Sequence, residues 1–138
     1  MEINDGCDLV IMFIAKDGNI SMSAGNTNVF TCDGDKVSRY KGQQLFIGEG
    51  RLTSKDEVEV IDIKPNPDNK YYISTDGLYD QIGGETKKQF GYKKLENIII
   101  DNHHKSQEFI SGKIWETFEE YRGNEPRRDD IELITFKL

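Results

Sequence analysis

The sequence has few cysteines and no long apolar segment. These two absences argue against a disulfide-rich protein and against a membrane-spanning one. Its two cysteines, Cys7 and Cys32, form no CxxC pair and have no histidine at metal-ligand spacing. This pattern argues against a disulfide scaffold or a zinc site, so we expect two core thiols in a reducing cytosol. The start, MEINDG, lacks the basic and apolar regions of an export signal, and no apolar run has membrane-spanning length. These absences predict a cytoplasmic chain with no membrane segment.

Positive charge is also scarce. The chain has 18 basic and 25 acidic residues, which gives a formal net charge of -7. A polyanion would be repelled by this charge, so nucleic-acid binding is excluded as an expected function. The content of 36% hydrophobic and 10% aromatic residues is nevertheless enough for a globular core. A length of 138 residues then fits one domain, covering residues 1–138.

The first half of the chain has the pattern of β-strands joined by turns. Residues 7–15 are almost entirely apolar and too few for a typical helix, which predicts a central strand covered on both faces. A turn at residues 17–19 and an alternating strand at 20–24 complete a hairpin. Residues 29–40 repeat the pattern as a second, more exposed hairpin. The rest of this half is predicted as a loop at 41–56 and a strand at 57–63.

The second half adds two helices and a closing strand. Helical spacing of apolar residues predicts a helix over residues 92–102, laid on the sheet. Ser106 can cap a second helix, which Gly123 ends. We expect its apolar stripe to be core, and the residues of that stripe are Ile110, Ile114, Phe118 and Tyr121, with Trp115 nearby. With a last strand at 130–138, the order predicts an α+β fold with a mostly antiparallel sheet.

The stretch KYYISTDGLYDQIGG, residues 70–84, combines a strand pattern with an acidic turn. Tyr71, Tyr72 and Ile73 are strand formers, and Asp76-Gly77 follows where the strand should end. A carboxylate held by a rigid sheet is suited to a hard cation such as Mg²⁺ or Mn²⁺. An Asp-Gly pair is also the commonest form of a plain hairpin turn, so this tripeptide leaves both interpretations open.

A second acidic feature, Arg127-Arg128-Asp129-Asp130, precedes the closing strand. If that strand pairs beside the one ending near Asp76, both acidic turns emerge at one edge of the sheet. Converging carboxylates repel each other and raise one pKa unless a cation lies between them, which favours a metal site. The alternative is a solvated acidic pair balanced by the two arginines.

Other candidate sites in the sequence are weak. Adjacent histidines such as His103-His104 do not face one point on a helix, so they indicate a solvated helix end. Asp33-Gly34-Asp35 does not continue as a calcium loop. Ser74 and Thr75 have no identifiable histidine base, which argues against a nucleophile. No P-loop, GxSxG or HExxH motif is present.

Several of these motifs together resemble a known family. The segments STDGLYDQIGG, FGYKKL and RRDDIELITFKL resemble the second half of the bacterial PP2C-type serine/threonine phosphatases of the SpoIIE/RsbU group, and DQxGG resembles their SiaA-like branch. Earlier segments agree in order, namely DGCD at 5–8, AGNTN at 24–28, KG at 41–42 and IG at 47–48. The resemblance covers essentially the whole chain.

The resemblance implies a PP2C-like layered fold and a phosphatase that forms no covalent enzyme intermediate. Two Mg²⁺ or Mn²⁺ ions would activate a water that attacks the phosphorus of a phosphoserine on a regulatory, anti-sigma-antagonist-like protein. Asp76 and Asp129 match metal ligands of the family, and Asp130 is a neighbour that ligates or orients. Gly77 is expected to permit the turn at Asp76. The remaining matches, expected to shape the rim of the site, are Gln81, Gly83 and Gly84.

The chain also departs from the family pattern. The other metal aspartates of the family come from an earlier GDxxD-like strand and a DxxGHG-like turn, and neither occurs here. We therefore expect the second half of a phosphatase domain, which alone binds metal weakly and is inactive. The alternatives are a degenerate relative that acts by protein binding and, less in keeping with the motifs, an unrelated acidic binding module. A half domain should also self-associate through its uncovered sheet surface.

Overall fold

Two antiparallel sheets form the framework of the protein. The computed structural model describes residues 6–45 and 54–138, apart from the side chain of Asp56. The motif residue Asp5 and the IG pair at 47–48 therefore lie outside the described residues. The strands are β1 (Leu9–Ile14), β2 (Ile20–Gly25), β3 (Asn28–Cys32), β4 (Val37–Lys41), β5 (Ile61–Ile63), β6 (Lys70–Ser74), β7 (Ile82–Gly83), β8 (Lys88–Gln89) and β9 (Leu133–Lys137).

The sheets pack in layers with the helices on one outer side. One sheet has the order β1-β2-β5 and the other has the order β4-β3-β6-β9, with all these pairings antiparallel. The helices are α1 (Gly77–Asp80), α2 (Gly91–Asp101) and α3 (Gln107–Arg122). A first core lies between the four-stranded sheet and the helices, and a second core lies between the two sheets. The predicted α+β class with antiparallel sheets is confirmed.

Both predicted helices form close to their expected positions. The Phe109 N–H donates to the Ser106 side chain at 3.1 Å, so Ser106 caps α3 as predicted. Gly123 follows α3 with a φ of 56°, a conformation that favours glycine. Ile110, Ile114 and Phe118 are buried, as expected for the stripe. Trp115 was wrongly included in that core, because 43% of its surface is exposed. It stacks on Phe118 at the surface of α3.

The predicted positions of β1 and β3 within the layers were wrong. We expected residues 7–15 to form a covered central strand, but β1 is at the edge of its sheet and Ile11 and Phe13 are 60% and 67% exposed. The hairpin expected to be exposed instead contains β3, whose five residues are all buried. β3 lies between β4 and β6, with a helix layer on one face and a sheet on the other. Its short sequence is less apolar than β1 but is covered on both sides.

Two smaller expectations also differ from the structure. Cys32 is buried as predicted, whereas Cys7 is exposed. The strand expected at 57–63 is reduced to Ile61–Ile63 and follows a short 3-10 turn at Lys55–Glu57. The Gln43 side chain explains this shortening, because it donates to the Glu57 carbonyl at 2.9 Å and accepts from the Glu59 N–H at 2.7 Å. Two backbone groups of the expected strand therefore bond to the Gln43 side chain.

Candidate metal site

Asp76 lies where the central strand β6 meets the short helix α1. Tyr71 and Tyr72 of β6 are almost fully buried, so the strand is a rigid base for the residues that follow it. Asp76 is the N-cap residue of α1, and its carbonyl accepts from the N–H groups of Tyr79 and Asp80. The Asp-Gly pair therefore starts a helix and does not form a hairpin turn.

The segment before β9 lies directly against this corner. β6 and β9 pair antiparallel with Ser74 opposite Leu133, which places residues 129–132 beside residues 75–77. The Thr75 N–H donates to the Glu132 carbonyl at 3.2 Å. The condition set by the sequence, that the two acidic turns emerge at one edge of the sheet, is therefore met.

The surroundings of Asp76 disfavour its charged form. Burial raises the pKa of the Asp76 carboxyl above its ordinary value of 3.8. The negative charges of Asp80, Asp129 and Asp8, in that order, raise this pKa further, while a hydrogen bond from the Gly77 N–H lowers it. Asp76 therefore lies in an acidic environment, to which three other carboxylates contribute. A cation bound there would relieve their repulsion.

The two aspartates at 129 and 130 have different surroundings. The Asp129 carboxylate accepts from the Asp130 N–H at 2.8 Å and is otherwise exposed. Asp130 takes part through its backbone, because its carbonyl accepts from the Thr75 hydroxyl at 3.0 Å. Asp130 as a metal ligand stays a prediction, and these contacts indicate a role in placing the turn. Neither carboxylate forms an ion pair with Arg127 or Arg128 among the described contacts; Arg127 pairs instead with Glu119 at 3.0 Å.

Gly77 is needed for space and not for an unusual backbone. We expected it to permit a turn, but it is the first residue of α1 and is not among the glycines with positive φ. A Cβ at this position would be 2.4 Å from the Asp130 carbonyl oxygen, closer than real Cβ contacts. Gly77 therefore allows residues 127–130, which we call the Asp129 turn, to lie against α1.

Gln81 and the two glycines after it connect α1 with the end of α3. Gln81 is 1% exposed, and its amide donates to the Pro126 carbonyl at 3.0 Å. The Gly84 N–H donates to the Tyr121 carbonyl at 2.8 Å, with a φ of 66° that favours glycine. A Cβ on Gly83 would be 2.1 Å from that same carbonyl oxygen. The DQxGG segment is therefore packed against the chain that leads to Asp129.

A polar cleft of about 250 Å³ opens beside Asp76. Its lining includes Asp76, Asp80 and Lys41, and the Lys41 ammonium forms no ion pair among the described residues. Asn28 lies in the wall and donates over 3.3 Å to the hydroxyls of both Tyr79 and Tyr92. The wall is thus ordered, and a ligand of moderate size could reach Asp76 from this side. The lining residues are Asn26, Asn28, Lys41, Gly42, Gln44, Asp76, Tyr79, Asp80 and Tyr92.

Sequence reasoning missed three residues of this corner. Asp80 is four residues after Asp76 on one short helix, and that i,i+4 spacing was a usable signal. Asp8 belongs to the DGCD motif, and its carboxylate accepts from the Asn26 side chain at 3.2 Å. Thr75 was considered only as a nucleophile, whereas its hydroxyl contacts the Asp129 turn. No sequence pattern gave that contact, because its partners are more than 50 residues away.

The chemistry of the donors suits a hard divalent cation, but the set is incomplete. Carboxylate oxygens are the ligands that Mg²⁺ and Mn²⁺ prefer. Within residues 6–45 and 54–138, however, no three His, Cys, Asp or Glu side chains converge closely enough to hold an ion. Asp76 and Asp129 therefore fit one side of a metal site and not a whole one.

Comparison with known proteins places the chain in a family. The family model described as stage II sporulation protein E (SpoIIE) matches residues 8–138. The chain belongs to this PP2C-type phosphatase family. No curated protein matches the sequence significantly.

Within the parts of the chain that the structure describes, no helix is long and apolar enough to cross a membrane.

Solved structures of the same family share the fold. The SiaA-PP2C domain of Pseudomonas aeruginosa is 26% identical with a TM-score of 0.85, covering 95% of this chain and 51% of that one. A structure of the Bacillus subtilis SpoIIE PP2C domain with a fragment of its regulatory domain is 16% identical with a TM-score of 0.69, covering 89% and 35%. The phosphatase domain of Bacillus subtilis SpoIIE presoaked in Mn is 16% identical with a TM-score of 0.65, and the match covers 95% of this chain and 56% of that one. The PP2C-like fold is therefore confirmed, and the chain spans about half of the SiaA domain.

Proposed function

We propose that this chain contributes part of the catalytic centre of a metal-dependent protein serine/threonine phosphatase. The observation that carries the proposal is the meeting of Asp76 with the Asp129 turn at one sheet edge, where the carboxylate charges raise the pKa of Asp76. The proposed substrate is a phosphoserine on a regulatory protein, and the proposed location is the cytoplasm. Membership of a PP2C-type family, whose members are typically metal-dependent, supports the reaction class.

Asp76 and Asp129 would hold a Mn²⁺ or Mg²⁺ ion on one side. When bound, such an ion supplies Lewis-acid activation of water and neutralises charge on phosphoryl oxygens. The residues of this chain fix the two carboxylates on a buried strand and on a turn packed against it. Because two carboxylates complete only part of an octahedral shell, the remaining ligands would be water and residues outside this chain.

The polar cleft beside Asp76 is the proposed entry for the phosphoserine segment. Lys41 offers a cation without an acidic partner among the described residues, and a phosphoryl group carries the matching charge. Asn28, held by Tyr79 and Tyr92, keeps this wall in place. The cleft would thus orient the substrate toward the carboxylates.

A second candidate function is a PP2C-like module that acts in protein binding or regulation without catalysis. One observation favours it, namely that no three metal-ligating side chains converge within the described residues. Adding the missing half of a family domain to this chain distinguishes the two candidate functions. Under the first it restores hydrolysis, and under the second it does not.

The experiment joins this chain to the part of the SiaA PP2C domain that it does not match. We expect Mn²⁺-dependent release of phosphate from a phosphoserine protein, and loss of that release in Asp76→Asn. Asp35→Asn, at an exposed turn between β3 and β4, serves as the control and should keep the activity. The unfused chain should bind Mn²⁺ weakly, with about a tenfold loss in Asp76→Asn. A folded fusion that binds Mn²⁺ without phosphate release would favour the binding module.

A further inference from the structure

The Asp129 turn is held on its C-terminal side by Thr75. The Thr75 hydroxyl donates to the Asp130 carbonyl at 3.0 Å and accepts from the Glu132 N–H at 3.0 Å. The Thr75 N–H makes a third bond to the Glu132 carbonyl. A single partly buried side chain therefore uses both its donor and its acceptor on the backbone of two residues that come after Asp129.

Gln81 holds the same turn on its N-terminal side. Its buried amide nitrogen donates to the Pro126 carbonyl at 3.0 Å, and its amide oxygen accepts from the Arg128 N–H at 3.3 Å. Arg128 is the residue directly before Asp129. Since Thr75 and Gln81 lie on either side of Asp76 in one short segment, the position of Asp129 relative to Asp76 is set from both ends.

These contacts oppose an electrostatic force. The pairing of β6 with β9 brings the Asp129 carboxylate to the same sheet edge as the Asp76 carboxylate, and like charges at one edge repel each other. Asp129 is exposed, and its carboxylate has only the Asp130 N–H as a hydrogen-bond partner among the described residues. Its own side chain therefore cannot fix the turn against this repulsion. The bonds from Thr75 and Gln81 can, because they act on the backbone on both sides of Asp129.

We propose that Thr75 is a positioning residue of the metal site, with Gln81 as its counterpart on the other side of the turn. This assignment rests on the proposed function, since it gives Asp129 a metal to bind. Thr75 does not contact the reacting groups in this role. It acts by keeping the Asp129 carboxylate within reach of an ion held by Asp76.

The test compares Thr75→Val, which removes the hydroxyl, with Thr75→Ser, which keeps it, in the 138-residue chain. Mn²⁺ affinity is measured by electron paramagnetic resonance, and amide exchange at Glu132 is measured without metal. We expect Thr75→Val to bind Mn²⁺ about tenfold more weakly than the unsubstituted chain, and Thr75→Ser to stay within about twofold. The Glu132 amide should exchange faster in Thr75→Val than in Thr75→Ser, because its acceptor is lost.

Thr117→Val is the matched control. It removes a threonine hydroxyl bonded to the Lys113 carbonyl within α3, and it should change neither reading. If Thr75→Val does not fold, Gln81→Met is measured instead, with the same expected loss of affinity.

Equal Mn²⁺ affinity in the Val and Ser variants and in the unsubstituted chain would overturn the positioning role and leave the proposed function standing. An unsubstituted chain that binds no Mn²⁺ would contradict the proposed function and this assignment with it.

Discussion

Gly77 is the residue at which the two acidic segments are most closely packed. An added Cβ would be 2.4 Å from the Asp130 carbonyl oxygen, and backbone cannot move aside as a flexible side chain can. We expect Gly77→Ala to lower the free energy of unfolding by about 1–3 kcal/mol, as overpacking does elsewhere. Mn²⁺ binding should weaken as well, because the Asp129 turn must shift. Urea denaturation and a Mn²⁺ titration measure the two effects.

Gly112 provides the control for that substitution. It lies within α3, and a Cβ there would meet nothing within 4 Å. Gly112→Ala should therefore stabilise the protein by about 0.5–1 kcal/mol through helix propensity alone. Equal effects of the two substitutions on stability and on Mn²⁺ binding would show that the close approach at Gly77 is unimportant.

At the scale of an element, the end of α2 depends on a buried lysine. Lys70 of β6 is 9% exposed, and its ammonium donates to the carbonyls of His103 and Lys105 beyond α2. Those carbonyls follow the helix and would otherwise lack partners within it. His103 lies beside this group, and its buried Nδ1 has no hydrogen-bond partner in the part of the chain that the structure describes. The histidine pair is therefore not a solvated helix end as a whole, since only His104 is exposed.

His103 should make stability depend on pH. Burial lowers the pKa of His103 below its ordinary value of 6.5, and the positive charges of Lys70 and Lys137 lower it further. The negative charges of Asp33 and Asp68 oppose this effect but do not cancel it. The unfolded chain then takes up a proton near pH 6.5 before the folded chain does. This contribution to stability is complete above pH 6.5 and is lost as the pH falls through the lowered pKa of His103.

Denaturation at several pH values measures this dependence. The free energy of unfolding should fall as the pH drops below about 6.5, and His103→Gln should reduce that slope. His104→Gln changes the neighbouring exposed histidine and should leave the slope unchanged. If the two variants behave alike, the environment of His103 does not account for the effect.

At the scale of the whole molecule, the outer face of β1 is apolar and open. Ile11 and Phe13 alternate on this face, whereas Val10 and Met12 pack inward between the sheets. Among the described strands β1 has only β2 as a neighbour, so its second edge is unpaired there. An apolar face on an edge strand favours association with a second copy of the chain.

We expect the chain to form dimers or larger species as its concentration rises, because packing of this face against the same face of a second copy would bury its apolar side chains. Light scattering after size exclusion measures the change. Phe13→Glu should shift the equilibrium to the monomer by placing a charge on the face. Phe109→Glu alters a residue of α3 that is 48% exposed and should not. A chain that is monomeric at all concentrations would contradict the expected association.

The sequence by itself determined the type of the longer helices and strands, whereas the short elements α1, β7 and β8 were not predicted. The Ser106 cap and Gly123 stop of α3 are local signals, and the stripe of Ile110, Ile114 and Phe118 needs only the helical period. The acidic corners after β6 and before β9 were also visible as short patterns, and their resemblance to a phosphatase family agrees with the family match.

The tertiary structure alone decided which strand is central and which acidic side chains lie near Asp76. An apolar run in the sequence does not show whether one face of the strand or both faces are covered. The residues of β1 and β3 therefore could not indicate which of the two strands is the more buried. The contacts of Thr75 with Asp130 and Glu132 join residues 55 and 57 positions apart. Such contacts follow from the pairing of β6 with β9. This pairing joins distant parts of the chain, so the local pattern of apolar and polar residues cannot predict it.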